Sequence, residues 1–292
     1  MPTCAEICLA VKERPWSREI IRRRTDSLRF WGTGAPSVRW VTRSFYRDIG
    51  LNPGPSYIAG KKGYDRRVMC GRFTLFEPKE SLAGIFGVSA APLPGPRYNI
   101  APSQPVAVVR LSRTPGEGRE LAMLRWGLVP SWAKDPSIGS RMINARAETV
   151  PEKPAFRSAW KGRRCLIPAN GFYEWQQRNG RKQPWYIRMR GGGPFAIAGL
   201  WERWEPPSGD PLESCTLITT EPNELLAPIH ARMPAIVAPE DFDLWLAAAP
   251  GEGERLRALL RPYPAGAMAA GQVGLSVNNP SNDTPELIAP LR

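Results

Sequence analysis

The sequence predicts an α+β fold, a single strand-rich domain over residues 70–292 behind a basic extension over residues 1–69. Three observations carry that expectation. From Met69 onward the apolar residues fall in short runs broken by Pro and Gly, the pattern of strands joined by turns. Helical spacing shows in only two stretches. The 292 residues, 42% of them hydrophobic and 11 of them Trp, are enough for one sizeable core.

In chain order, the first 69 residues hold Arg22-Arg23-Arg24, Asn52-Pro53-Gly54-Pro55, Lys61-Lys62 and Arg66-Arg67, with little sustained periodicity. They read as a disordered extension, or as the product of an over-long start-site choice with Met69 the true initiator. Residues 78–86 have a Pro-led first turn and apolar helical spacing. Residues 97–102 and 125–132 mix Arg, aromatic residues and Pro and read as loops. Residues 106–109, 185–187, 195–200 and 215–219 read as strands. Residues 239–249 open with Pro239-Glu240-Asp241 before Phe242, Leu244, Trp245 and Leu246, acids standing where a helix N-terminus favours them. No repeat, G-x-G-x-x-G or G-x-x-x-x-G-K-[ST] occurs, so nucleotide-cofactor folds have no support.

The formal charge of +13 is uneven: residues 1–69 hold 14 Lys/Arg against 6 Asp/Glu, leaving a net +5 for the domain. That balance is a weak argument for a nucleic-acid partner. No run approaches the roughly eighteen apolar residues of a membrane span. Five widely spaced cysteines without a C-x-x-C pair argue against a disulfide framework or zinc site and suit a reducing cytoplasm. His230 is the only histidine, which excludes a metal centre built on imidazoles.

Met69-Cys70-Gly71-Arg72-Phe73 places a cysteine directly after a methionine, so trimming that methionine makes Cys70 an amino terminus. Its α-amine, with an ordinary pKa of about 7.7 to 8, would then adjoin its thiol, near 8.5. An amine attacks an aldehyde to give a Schiff base, and the adjacent thiol can close a thiazolidine on the same carbon. The plainer alternative is a buried small hydrophobe. Glu174, in Gly171-Phe172-Tyr173-Glu174-Trp175, is expected to be partly desolvated by its aromatic neighbours and so suited to proton transfer; the alternative is a salt bridge to an arginine. His230 is either a general acid/base or a structural cap. Cys, His, Asn and Glu together also fit a cysteine peptidase.

Six segments in order resemble the SOS response-associated peptidase (SRAP) family: Met69-Cys70-Gly71-Arg72-Phe73, Arg97-Tyr98-Asn99-Ile100-Ala101-Pro102, Trp126-Gly127-Leu128-Val129-Pro130, Ile143-Asn144-Ala145-Arg146-Ala147-Glu148-Thr149, Gly171-Phe172-Tyr173-Glu174-Trp175 and Ile229-His230-Ala231-Arg232-Met233-Pro234. The resemblance covers nearly all of the chain after Met69. It implies a compact, barrel-like α+β domain without metal or organic cofactor. It implies that Cys70 cross-links to abasic sites in single-stranded DNA, that Asn144 orients the cysteine and opened sugar, and that Glu174 and His230 move protons. Arg72 and Arg146 would hold phosphates; Trp132, with Pro102 and Trp126, would form the surface on which the strand turns. A monomer, cytoplasmic and nucleoid-associated when bound to DNA, is expected. The 69 residues before Cys70 depart from the family pattern, because an internal Cys70 has no free amine. Initiation at Met69 or cutting before Cys70, by the same residues acting as an autopeptidase, would supply one. The competing expectations are a peptidase acting on other proteins and a non-covalent single-strand-binding module.

Overall fold

A computed structural model describes residues 70–89, 95–114, 116–178, 180–249 and 251–291. The extension, its arginine clusters and the expected boundary at Met69 lie outside the described residues. The strands are β1 (Arg72–Leu75), β2 (Arg97–Ile100), β3 (Pro105–Leu111), β4 (Arg119–Trp126), β5 (Asn144–Arg146), β6 (Arg164–Ala169), β7 (Gly171–Arg178), β8 (Arg181–Met189), β9 (Phe195–Trp204), β10 (Leu212–Thr220), β11 (Met233–Pro234), β12 (Ile236–Val237) and β13 (Met268–Gln272). The helices are α1 (Lys79–Phe86), α2 (Arg157–Gly162), α3 (Phe242–Ala247) and α4 (Gly253–Leu259).

Strands β4, β3, β6, β9 and β10 pair in that order, and β10 pairs again with β4, which closes a five-stranded barrel. Closure leaves these strands no free edge and explains runs such as Val106-Ala107-Val108-Val109, buried at every position. A second sheet, β13-β8-β7-β1-β2, lies against the barrel. Its inner face contributes Phe73, Phe172, Ile187 and Met268 to the barrel's core, and Phe73 meets Trp126 edge-on with ring centroids 5.2 Å apart. On its outer face Tyr173 and Tyr186 pack with Val273, Val277 and Leu287 of the C-terminal segment in a smaller core.

The four strands expected from the sequence fall inside β3, β8, β9 and β10; the two expected helices, 78–86 and 239–249, contain α1 and the shorter α3, which a 3-10 turn at Pro239–Asp241 precedes. The expected loop at residues 97–102 is a correction. Residues Arg97–Ile100 form β2, whose Phe73↔Ile100 and Leu75↔Arg97 pairs join it to β1. Asp283 supports its other side: one carboxylate oxygen accepts from the backbone N–H groups of Tyr98 and Asn99, and the other pairs with the Arg97 guanidinium. Among the described residues no helix is long and apolar enough to cross a membrane.

Candidate active site

Residues from four distant segments meet where the outer sheet leaves the barrel. Cys70 stands immediately before β1, with a left-handed backbone (φ 42°) that is uncommon for a residue with a Cβ. β1 runs beside β7 in the register Arg72↔Tyr173, so the backbone of Cys70 reaches the level of Glu174. The Cys70 nitrogen donates to Glu174 Oε1 at 2.7 Å.

Asn144 arrives by a different route. β10 pairs in parallel first with the end of β4 (Cys215↔Trp126) and then with β5 (Leu217↔Asn144). Between them residues 127–143 leave the sheet and return. The neck of this excursion is a backbone contact between two glycines: a Cβ on Gly127 (φ 126°) would lie 2.6 Å from the Gly139 carbonyl oxygen. The returning chain places Asn144 so that its Nδ2 donates to the Cys70 carbonyl at 3.4 Å.

His230 lies on the segment between β10 and β11. Asn223 Oδ1 accepts from Leu226 N and the Leu226 carbonyl accepts from His230 N, fixing the turn. Arg232 then grips both sides, with two bonds to the Glu148 carboxylate and one of 2.6 Å to the Thr219 carbonyl. His230 Nδ1 lies 3.3 Å from both the backbone N–H and the carbonyl oxygen of Arg232, accepting from the one or donating to the other according to its tautomer. Nδ1 lies 3.8 Å from Glu174 Oε2. Cys70, Asn144, Glu174 and His230 therefore form one connected group.

Burial sets the proton affinities. Glu174 is 2% exposed and faces inward, on the same side of β7 as Phe172. Loss of water pushes its carboxyl up to about 8, against the opposing effect of N–H donors from Cys70 and Trp175. The arginine salt bridge weighed as an alternative is absent among the described residues; its ion-pair neighbour is His230. Burial also holds His230 below its usual range; a hydrogen bond to the Arg232 carbonyl opposes the shift, and the charges of Arg232 and Lys182 add to it. The Cys70 thiol, 1% exposed, is raised well above its ordinary value, first by burial and then by the Glu174 charge. Among the described residues no hydrogen bond joins that thiol to His230, the contact a cysteine-histidine dyad needs.

The expected DNA-facing residues divide. Trp132 is on the excursion and 59% exposed, Arg146 is exposed at the end of β5, and Pro102 is half-buried in the turn after β2. Trp126 is a correction: it is fully buried, its indole N–H donates to the Ile143 carbonyl at 2.8 Å, and it offers no face to a strand. Arg72 pairs with Tyr173 on the outer face of its sheet, away from Glu174. Its guanidinium donates to Asn99 Oδ1 at 2.8 Å and to the carbonyls of Val277 and Asn278, and lies over the Trp175 ring, so it pins the C-terminal segment to the sheet.

A profile of the SOS response associated peptidase (SRAP) family matches residues 69–280. The chain belongs to the SRAP family. It is 46% identical over 224 residues to the abasic site processing protein YoqW of Bacillus subtilis (strain 168), covering 75% of this chain and 99% of that protein. It is 38% identical over 226 residues to the abasic site processing protein HMCES of Gallus gallus, covering 67% of this chain and 66% of that one. A crystal structure of a protein from Bacteroides thetaiotaomicron superposes with a TM-score of 0.69 at 25% identity, covering 76% of this chain and all of the other.

Two supports of this SRAP site escaped the reading of the sequence. Asn99, fully buried, bridges Arg72 to the carbonyls of Val277, Asn279 and Asn282, and Asp283 holds β2 from the C-terminal segment. Both act across more than 170 residues, so no local pattern marks them. Asn170 carried a local signal, a polar residue directly before Gly171 at a strand junction; its Oδ1 accepts from the N–H groups of Phe76 and Glu77.

Proposed function

We propose that this protein is an abasic-site processing enzyme that forms a covalent DNA-protein cross-link through Cys70 once that residue is the amino terminus. The observation that carries the proposal is the 2.7 Å bond from the Cys70 nitrogen to Glu174, a buried carboxyl raised to about 8. An α-amine ordinarily titrates at about 7.7 to 8. The charge of that amine favours the Glu174 carboxylate while burial favours the neutral acid, so Glu174 can take a proton from the amine and return it, the role of a general acid/base.

Abasic deoxyribose opens to an aldehyde at C1′. Glu174 takes a proton from the Cys70 ammonium and the freed amine adds to C1′, giving a carbinolamine. Glu174, with His230 beside it, returns a proton to the departing hydroxyl, and loss of water leaves the Schiff base. The thiol then adds to the same carbon; the C–S bond forms, the C=N pair moves onto nitrogen, and the thiol proton ends there. The product is a thiazolidine. Because burial keeps the thiol protonated, the amine acts first and the thiol second. Sealing C1′ removes the carbonyl that acidifies C2′ and drives strand scission.

Asn144 holds the Cys70 carbonyl, while Trp132, Pro102 and Arg146 supply a stacking face, a wedge and a phosphate contact for single-stranded DNA. The amine is supplied either by initiation at Met69 or by peptidase action on the bond before Cys70. The test compares a chain beginning at Cys70, the full chain and Cys70→Ala on a single-stranded oligonucleotide carrying one abasic site. A heat-resistant adduct on a denaturing gel is expected from the first, from the full chain only where the bond before Cys70 has been cut, and not from Cys70→Ala. Equal adduct from Cys70→Ala would sink the proposal.

A further inference from the structure

The β7–β8 hairpin begins in the candidate active site and ends in a cluster of cations that the chemistry above does not use. Alternation along β7 puts Phe172, Glu174, Gln176 and Arg178 on one face, opposite Ile187, Trp185, Gln183 and Arg181 respectively. Phe172 is in the core, Glu174 lies at its margin, and Arg178 and Arg181 are exposed. The same face thus runs from the barrel's interior, past the reacting nitrogen, to two guanidinium groups in solvent. Lys182 stands on the neighbouring rung, on the other face of the hairpin.

Three features point to an anion there. Arg178 and Arg181 face each other directly across an antiparallel rung, a like-charge pairing that is unfavourable unless something negative lies between or beside the two. No ion pair joins Arg178, Arg181 or Lys182 to a carboxylate among the described residues, although twelve other ion pairs of Arg or Lys are made there. The hairpin is also tied to the site rather than loosely hung: Gln176 Nε2 donates to the Pro228 carbonyl at 2.8 Å, on the segment carrying His230, and the Trp185 indole N–H donates to Gln176 Oε1 at 3.2 Å.

We propose that Arg178 and Arg181 bind the phosphodiester backbone of the DNA outside the lesion. At strand spacing the four residues from Glu174 to Arg178 span roughly 13 Å. That distance corresponds to about four base steps of a helical strand. This rests on the abasic-site reading above, since the direction of the track matters only if the lesion sits at Glu174. The bound backbone is that of the lesion strand itself or of a duplex beginning beside it.

The test uses the full chain, so that residues 1–69 contribute equally to every variant, with two DNA probes lacking any abasic site: a single strand, and the same strand with a duplex starting four nucleotides from its centre. Kd is measured between 50 and 200 mM salt for the wild type, Arg178→Gln/Arg181→Gln and Arg178→Lys/Arg181→Lys. Losing two phosphate contacts lowers the salt slope by about 1.4 for a single strand. The Gln variant should therefore lose about sevenfold less affinity than the wild type over that fourfold salt range. The Lys variant should keep the wild-type slope. An altered slope on either probe supports the proposal and identifies which backbone is held. Unchanged slopes on both, or no DNA binding by the wild type, overturn it. Cross-linking by the chain beginning at Cys70 is scored separately: if it proceeds while the slopes are unchanged, this inference fails and the abasic-site reading stands. If it fails while the slopes change, the reverse holds.

Discussion

Glu174→Gln should make the full chain more stable than the wild type at alkaline pH, because the wild type carries a buried carboxyl that resists ionisation. Gln keeps the volume of the side chain and the oxygen that accepts from Cys70 N, and removes only the titration. The carboxyl is raised from 4.5 to about 8. A group whose folded pKa lies above its unfolded one favours the fold below the unfolded value and loses that contribution as pH rises through the folded value. Wild-type stability relative to Glu174→Gln should therefore fall steadily from about pH 4.5 and level off near pH 8, by at most about 1.4 kcal/mol per pH unit. The whole change is on the order of 5 kcal/mol. Urea midpoints for both chains at intervals between pH 5 and pH 9 provide the measurement. In a chain beginning at Cys70 the charged amine beside Oε1 favours the carboxylate, so the same difference should shrink. A wild-type minus Gln difference that stays flat from pH 5 to pH 8 would show that Glu174 is not held neutral, and the proton exchange drawn for the amine would go with it.

Trp132→Ala should weaken single-strand binding by about 5- to 150-fold, the cost of one lost stacking face, while the unfolding midpoint stays put; fluorescence anisotropy and urea titration read the two separately. Trp126→Phe should do the reverse: it strands the Ile143 carbonyl and leaves a void in the core, costing about 2–3 kcal/mol of stability without changing the DNA affinity of the folded protein. Gly127→Ala should destabilise by about 2 kcal/mol or more, since its Cβ meets the Gly139 carbonyl at a positive φ. Because that contact is the neck of the Trp132 excursion, binding to a single strand should weaken too.

Much of the strand content was legible because the runs are fully apolar, as at residues 106–109 and 195–200, and only a buried strand explains them at that length. Their ends were not, because β10 begins with Leu212, Glu213 and Ser214 and β8 with Arg181 and Lys182, where cross-strand pairing and not hydrophobicity extends the ladder. The segment at residues 97–102 has the local pattern of a loop, because what completes β2 is Asp283, far away in the chain. Trp126 illustrates the ambiguity of an aromatic beside Arg and Gly: the pattern suits a stacking surface or a core plug, and only closure of the barrel decides. Glu174 was expected to be desolvated by Tyr173 and Trp175. It is desolvated, but those neighbours point to the other face of β7, and the burial comes from the barrel side where Phe172 points. The grouping of Cys70, Asn144, Glu174 and His230 was legible only through the family resemblance, since no spacing along a chain announces a contact made by β1, β5, β7 and a distant turn.

The most direct test of the account is to locate the adduct within the protein. The chain beginning at Cys70 is incubated with the abasic oligonucleotide, digested, and the peptide bearing the nucleotide remnant is sequenced by mass spectrometry, alongside Cys70→Ser. One modified residue is expected, Cys70, with a mass equal to peptide plus sugar less one water. Cys70→Ser, which keeps the amine and lacks the thiol, should yield a heat-labile adduct that becomes stable only after borohydride reduction. Attachment at a lysine, or a heat-stable unreduced adduct with Cys70→Ser, would contradict this chemistry.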